Sequence, residues 1–464
     1  MTVLRVAIVG AGPAGYYTAD ALLRQDQVPV EVDMFDRLPT PYGLVRLGVA
    51  PDHQKIKAVT AAFDKVAAHP RFRFFGGVEL GKHVTVEDLR RHYHQIVYTT
   101  GAQTDRRLGI PGEDLPGSHA ATEFVAWYNG HPDYRDCEFD LSVERVAVIG
   151  VGNVAVDVVR ILCRSPEELA RTDIADHALE ALAASRVREV YLLGRRGPAQ
   201  AAFTNPEIKE LGELPDADII VRPEEVELDP LTREQLERQG DRPTLKKVQI
   251  LQEFARRRPA GRRKRLVLRF LVSPVEIRDD GHGRVGGLRL VRNELYRTET
   301  GTLQARPTGR YEDLEVGLVF RSVGYQGVPL PGVPFHERWG VILNEKGRVL
   351  DPETKQPRVG EYTAGWIKRG ATGVIGTNKP DAVETVTAML EDARTGRTLV
   401  PEEPDPAAAE RLVRSRQPAV VSYEDWLVID RLEQERGRAA GRPRVKFCGV
   451  EEMYRALGRS EQPE

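Results

Sequence analysis

Cysteine is scarce in this chain. Three occur, Cys137, Cys163 and Cys448, far apart and with no C-x-x-C pair. That spacing argues against a dithiol redox centre, an intrinsic iron–sulfur cluster and a structural zinc, and it fits a reducing cytoplasm. An excess of one charge is also lacking. The 67 Lys and Arg face 69 Asp and Glu, a formal net charge of −2, so nucleic acid is not expected as the main partner. Long hydrophobic runs are missing too: Val146 to Gly152 falls far short of the roughly 20 apolar residues a membrane-spanning helix needs. A strand-like run begins at Val3, and no signal or transit peptide is expected ahead of it.

What the chain has is length and well-placed glycine. Its 464 residues exceed what one hydrophobic core supports and call for two or three domains. Two segments about 140 residues apart share one grammar: an apolar β-branched strand, a glycine-rich turn, then a helix. The first is Leu4 to Val9, then Gly10-Ala11-Gly12-Pro13-Ala14-Gly15, then a helix from Tyr16 to Arg24. The second is Arg145 to Ile149, then Gly150-Val151-Gly152-Asn153-Val154-Ala155, then a helix through Leu162. The pattern predicts an α/β protein with two Rossmann-like, three-layer dinucleotide-binding domains.

Between Gly197 and Val323 the pattern becomes mixed, with strand-like runs at Val267 to Val275 and Gly287 to Val291. Val319 to Tyr325 looks like the return to the first domain. We therefore expect residues 105–324 to form a domain inserted between 1–104 and 325–464, with linkers near Thr100-Gly101 and Gly324. The tail from Pro401 is rich in Pro and Glu, then helical from Ser422 onward. Ser165-Pro166-Glu167-Glu168 is a capped helix start with a structural role only.

In the first turn Gly10 permits the tight bend, Gly12 lets the backbone approach a pyrophosphate, and Gly15 allows close helix–strand packing. After the turn, in which Pro13 and Ala14 also lie, the helix N-terminus offers unpaired N–H groups and partial positive charge to phosphate. The next strand, Val30 to Phe35, ends in Asp36, 21 residues past Gly15, where a ribose hydroxyl acceptor is expected. The bland alternative is a strand–turn–helix with incidental glycines. A fingerprint near the start of the chain, with another downstream, points to FAD at the first. The second turn carries Ala155 in place of the third glycine, which the packing role tolerates. The strand after it, Glu189 to Leu193, ends in Gly194-Arg195-Arg196-Gly197. An NAD site would place a carboxylate there; two guanidiniums suit a 2′-phosphate and predict NADP(H). An exposed arginine pair at a strand end is the competing explanation.

With both turns placed, the chain resembles ferredoxin–NADP reductases of the adrenodoxin-reductase type, including bacterial members. The resemblance covers nearly the whole length. It rests on Leu38-Pro39-Thr40-Pro41-Tyr42-Gly43-Leu44-Val45-Arg46, Gly48-Val49-Ala50-Pro51-Asp52-His53, and Gly194 to Pro198 with Ala202-Phe203-Thr204. Gly365-Trp366-Ile367-Lys368-Arg369-Gly370 and Thr372 to Lys379 complete it. It implies FAD held by the first turn, Asp36, Gly43, Leu44, Val78, Trp366, Gly373, Val374 and Ile375. It implies NADPH held by Gly152, Asn153, Val154, Ala155, Arg195, Arg196 and Glu207, with Gly373 near the nicotinamide. Val151 stands where Gln is common, Tyr42 where Trp is common, and Asp36 where Glu is frequent, so fine cofactor contacts can differ.

The resemblance implies a flavoprotein reductase that moves electrons from NADPH through FAD to a ferredoxin- or adrenodoxin-like protein, as in routes that feed cytochrome P450. NADPH gives up two electrons together as hydride, an iron–sulfur protein accepts one, and flavin bridges the mismatch. Transfer needs the reacting atoms roughly 3–3.5 Å apart, so a modest hinge rotation at the linkers is expected. Family position places His53, Glu207 and Glu210 at the catalytic centre. His53 and Glu210 would tune charge and proton movement, and Glu207 would help seat the nicotinamide. Against this, His53 can be an ordinary helix-cap imidazole, and Glu207 with Glu210 a solvated face at i, i+3. The densest basic run, Arg256, Arg257, Arg258, Arg262, Arg263, Lys264 and Arg265, is a candidate dock for an acidic iron–sulfur protein, with a solvated loop as the alternative. Trp366 is expected against flavin and Cys163 in core packing. Two rival functions stay open here: another NADPH flavoenzyme, either a monooxygenase or a quinone reductase, and a non-catalytic redox sensor.

Overall fold

A computed structural model describes residues 3–459 and divides into two compact units. The first comprises 1–104, 129–135 and 325–464; the second comprises 105–128 and 136–324. The chain enters and leaves the second unit beside residues 104 and 324. Within the first unit Gln103 N–H donates to the Gln326 carbonyl, and within the second Arg106 N–H donates to that of Gly324.

The first unit is built on a seven-stranded sheet. Its order is Asn344–Glu345, Arg348–Leu350, Pro357–Thr363, Gln95–Tyr98, Leu4–Val9, Val30–Asp36 and Phe72–Gly76. The five strands from Pro357–Thr363 to Phe72–Gly76 are parallel, with Val6 opposite Val32 on one side and Gln95 on the other. Leu4–Val9 is buried throughout because both of its faces are covered. Val6 and Ile8 point into a core with Tyr16, Leu22 and Met389, while Ala7 and Val9 point into another with Tyr98 and Ile367. A strand buried on both faces carries apolar residues continuously, which explains its unbroken hydrophobic sequence.

The second unit contains a six-stranded parallel sheet. Its order is Ser118–Ala120, Leu318–Arg321, Arg145–Ile149, Glu189–Leu193, Lys264–Arg269 and Ala217–Val221. A separate antiparallel sheet follows, made of Val272–Asp279, Val285–Arg297 and Leu303–Leu314. The expected run Val267 to Val275 is therefore two strands. The break falls at Phe270-Leu271, where Leu271 takes φ 58 and donates its N–H to the Arg196 carbonyl.

The chain between 105 and 324 does not lie wholly in the second unit. Asn129–Arg135 belongs to the first, where Lys446 Nζ donates to the Asn129 carbonyl at 3.0 Å. Arg37 pairs there with Asp133 at 2.6 Å, and Arg135 with Glu452 at 2.9 Å. These bonds join residues some 100 to 320 positions apart, beyond any local pattern. Ser165 caps Pro166–Leu169 with a capping box closed by Glu168. The tail forms helices Pro406–Arg416, Tyr423–Ala439 and Val450–Ala456, the middle one capped by Ser422 and Asp425. Among the described residues no helix is long and apolar enough to cross a membrane.

Candidate functional site

In the first unit, helix Pro13–Arg24 starts where Leu4–Val9 ends, and the glycines divide the work between them. Gly10 has φ 110, and a Cβ there would stand 2.7 Å from the Thr99 carbonyl oxygen, so only glycine makes this turn. A Cβ on Gly15 would overlap the Gly10 carbonyl oxygen, which sets how closely the helix approaches the strand. Gly12 has nothing within 4 Å of a Cβ position and caps the helix without a side-chain bond. Pro13 has no N–H, so Ala14 and Gly15 are the donors at this end, the kind of helix terminus that binds phosphate.

Distant segments converge on this turn. Asp36 accepts from Ala11 N–H at 2.8 Å and from Leu38 N–H at 2.9 Å, and burial raises its carboxyl pKa. Each of its oxygens keeps a further lone pair for a hydroxyl. Val78 is buried and donates its N–H to the Asp36 carbonyl at 2.8 Å. Tyr42 N–H donates to the Ala11 carbonyl, and Gly43 lies so close that its Cβ would stand 2.9 Å from the Gly12 Cα. Gly43 caps the short helix Leu44–Leu47. From the other end of the chain, a Cβ on Gly365 would stand 2.5 Å from that of Ala14, which sets Trp366 beside the first turn. The half-buried Trp366 donates its indole N–H to the Thr372 carbonyl at 3.1 Å. Gly373 is exposed, Val374 is 50% exposed and Ile375 packs on the core. Thr40 Oγ1 is buried with no hydrogen-bond partner among the described residues. Open backbone donors, an orphaned hydroxyl and an uncovered apolar side chain together fit FAD. His53 caps helix Gln54–Lys57, its N–H bonded to the Ala50 carbonyl at 3.0 Å.

The second unit repeats the device. Gly150 has φ 129, and a Cβ there would overlap the Ser322 carbonyl oxygen; Gly152 has open space around it. Helix Asn153–Cys163 begins without a side-chain cap because its cap residue is Gly152, and Asn153 Oδ1 accepts from Thr204 N–H at 2.9 Å. Val154 is half-buried, whereas Ala155 is fully buried, as the packing position requires. The backbone of the arginine pair is pinned: Asn293 Nδ2 donates to the Arg195 carbonyl at 2.9 Å and Leu271 N–H to that of Arg196 at 3.1 Å. Neither guanidinium has a carboxylate partner among the described residues, although most arginines here are paired. Burial lowers the Arg196 pKa and the neighbouring Arg195 charge lowers it further. Two unneutralised cations side by side repel each other, and a dianion would relieve that repulsion.

Glu207 and Glu210, on helix Asn205–Leu211, converge on one residue that sequence reasoning missed. Arg160 is fully buried and stands 3.3 Å from Glu207 and 3.8 Å from Glu210, with Asp157 at 2.7 Å. The two glutamates are therefore not a purely solvated face. The available signal was a cation inside the apolar run Val158-Val159-Arg160-Ile161-Leu162. Cys163 is buried in the same helix, and burial pushes its thiol up to about 12.

The basic run needs a correction. Lys264 is only 5% exposed and donates to the Leu162 carbonyl at 2.6 Å, so it does not face a partner. Ala260, Gly261 and Arg262 wrap their N–H groups around the Asp218 carboxylate at 2.9–3.0 Å. Arg262 Nη1 donates to the Leu214 carbonyl and, at 3.0 Å, to that of Ala217. Arg263 pairs with Asp216, Arg265 with Glu189, and Arg257 bonds the Gly212 carbonyl. Arg256 and Arg258 are exposed.

Residues 4–196 match the family model of pyridine nucleotide-disulphide oxidoreductases. The NADPH-ferredoxin reductase FprA of Mycobacterium tuberculosis is 46% identical over 459 residues, covering 97% of this chain and 98% of that one. Human mitochondrial NADPH:adrenodoxin oxidoreductase is 42% identical over 98% of this chain and 92% of its own. The solved structure of Mycobacterium tuberculosis FprA in complex with NADPH superposes with a TM-score of 0.91 at 45% identity, covering 98% of this chain and all of that one.

Proposed function

Because this chain belongs to the family of NADPH–ferredoxin reductases that includes adrenodoxin reductase, we propose that it oxidises NADPH and passes the electrons singly to a ferredoxin-like iron–sulfur protein. The observation that carries the reading is the pair of glycine turns with open space at Gly12 and Gly152, the second followed by two arginines with no carboxylate partner among the described residues. We assign FAD to the first unit and NADP(H) to the second. Bound FAD supplies the exchange between hydride and single electrons.

The residues of the chain bind, orient and balance charge. Ala14 and Gly15 N–H groups take the flavin pyrophosphate, Asp36 the ribose, and Leu44 with Trp366 and Gly373–Ile375 the ring end. Asn153, Val154 and Ala155 N–H groups take the coenzyme pyrophosphate, and Arg195 with Arg196 the 2′-phosphate. Arg160 holds Glu207 in place to seat the nicotinamide. His53 and Glu210 act on charge and proton movement. The three thiols are unpaired, consistent with a reducing cytoplasm.

Mixing the yellow holoprotein with NADPH in a stopped-flow instrument should bleach the flavin rapidly, and cytochrome c should be reduced quickly only when a ferredoxin is added. Substrate hydroxylation or uncoupled peroxide release would favour a monooxygenase instead. Replacing His53 by Ala should slow turnover about 2- to 10-fold, since hydride transfer needs no obligatory side-chain acid. Abolished flavin reduction in a folded, FAD-loaded variant would contradict that role.

The docking surface we propose is narrower than the basic run. Arg256, Arg258 and the exposed parts of Arg263 and Arg265 form it, whereas Arg257 and Arg262 mainly hold their own loop. Arg256→Glu with Arg258→Glu should lower the ferredoxin-dependent rate several-fold at low salt and leave dye reduction intact. Equal losses in both assays would remove the docking assignment.

A further inference from the structure

The helix Tyr423–Ala439 lies more than 400 positions beyond the first glycine turn, yet it grips the segment that leans on that turn. Both ends of Tyr42–Leu47 are held. At one end Asp64 Oδ1 accepts from the Tyr42 hydroxyl and, at 2.9 Å, from that of Tyr423, while the two phenol oxygens stand 3.1 Å apart. Trp426 meets the Tyr42 ring edge to face at 5.8 Å between centroids. At the other end the Arg46 guanidinium lies over the Trp426 ring at 5.1 Å and forks onto Glu433 at 2.7 and 2.5 Å.

Glu433 is completely buried. Besides both Arg46 bonds it accepts from Arg444 at 3.1 Å and from Phe447 N–H at 2.9 Å. Four donors fill the four acceptor positions of a carboxylate. Burial alone would raise its pKa, but the Arg46 and Arg444 charges outweigh burial and hold it below its ordinary value. Lys446 Nζ, also buried, donates to the Arg46 carbonyl at 3.0 Å. Between the two anchors sit Gly43, against Gly12, and Leu44.

We infer that Glu433 and Tyr423 are positioning residues for the flavin: through Arg46 and Tyr42 they hold Gly43 and Leu44 in register with the first glycine turn, and so govern how tightly the flavin is kept. A local motif could be stabilised by its own hydrogen bonds. Here Tyr42 takes φ 81, a strained conformation for a non-glycine residue that must be imposed from outside. Helix Tyr423–Ala439 supplies that constraint at both ends of the segment.

The inference rests on FAD binding in the first unit, and its test separates the two. The rate of FAD release from holoprotein is followed by flavin fluorescence after dilution, together with the visible circular dichroism of the bound flavin. Glu433→Gln is compared with Leu89→Ala, a truncation in the other core of the same unit. Glu433→Gln should release FAD at least 10-fold faster and change the dichroism. Leu89→Ala, chosen to lower melting temperature comparably, should stay within twofold of the unsubstituted chain. Tyr423→Phe removes one hydroxyl and decides the matter if Glu433→Gln does not fold; it should speed release at least threefold. Equal effects of Glu433→Gln and Leu89→Ala, or release from Tyr423→Phe within 1.5-fold of the unsubstituted chain, would overturn the inference. An unsubstituted chain that never holds FAD would overturn the proposed function instead.

Discussion

Replacing Arg195 and Arg196 together by alanine should raise the KM for NADPH about 100- to 1,000-fold while changing that for NADH little. Hydrogen bonds to a charged partner contribute roughly 1.5–3 kcal/mol each, and about 1.4 kcal/mol is a factor of ten. The side chains of this pair have no carboxylate partner among the described residues, so they are available to a 2′-phosphate without first breaking an ion pair. Their backbone is tied down by Asn293 and Leu271, so alanine should remove charge without moving the loop. Lysine at both positions should recover only part of the preference, because a point charge lacks the planar fork. Steady-state kinetics with both coenzymes decide the matter. An unchanged ratio of kcat/KM for NADPH and NADH in the double variant would mean that selectivity lies elsewhere.

Valine in place of Gly12 should yield a folded, colourless protein, and valine in place of Gly152 a yellow one that dithionite reduces but NADPH does not. Both positions have extended backbone angles that any residue adopts and open space where a side chain would go. Among the described residues nothing stands within 4 Å of a Cβ at either position, whereas an approaching pyrophosphate would meet one. Gly10→Val provides the contrast, since φ 110 and the Thr99 carbonyl make it a folding defect. Flavin content, circular dichroism and thermal melting separate these outcomes. A Gly12→Val protein that purifies with a full complement of FAD would refute the placement of the flavin at the first turn.

These two predictions come from features that were legible in the sequence because their causes are local. A tight strand-to-helix turn demands glycine within a few residues, whatever surrounds it, and an arginine pair at a strand end keeps its charge in any context. The same locality made the capped helix at Ser165 readable. Where the sequence misled, a remote partner was responsible. The basic run was visible as charge, but Asp218 turns part of it into an internally bonded loop and Leu162 takes up Lys264. Glu207 and Glu210 fit a solvated helix face until Arg160, some 50 positions earlier, is found buried beside them.

Alone, then, the order of residues determined the α/β class and two glycine-rich strand–turn–helix units, and with the family resemblance it led to the expectation of FAD and NADP(H). Only the tertiary structure decided that Asn129–Arg135 returns to the first unit, that Gly365 backs onto Ala14, and that Glu433 anchors Arg46. The division has a physical reason. Backbone geometry and helix-end polarity act over a few residues and leave their mark at fixed spacing. Buried charge is tolerated only where partners arrive from anywhere in the chain, and their positions are known only once the sheets have formed.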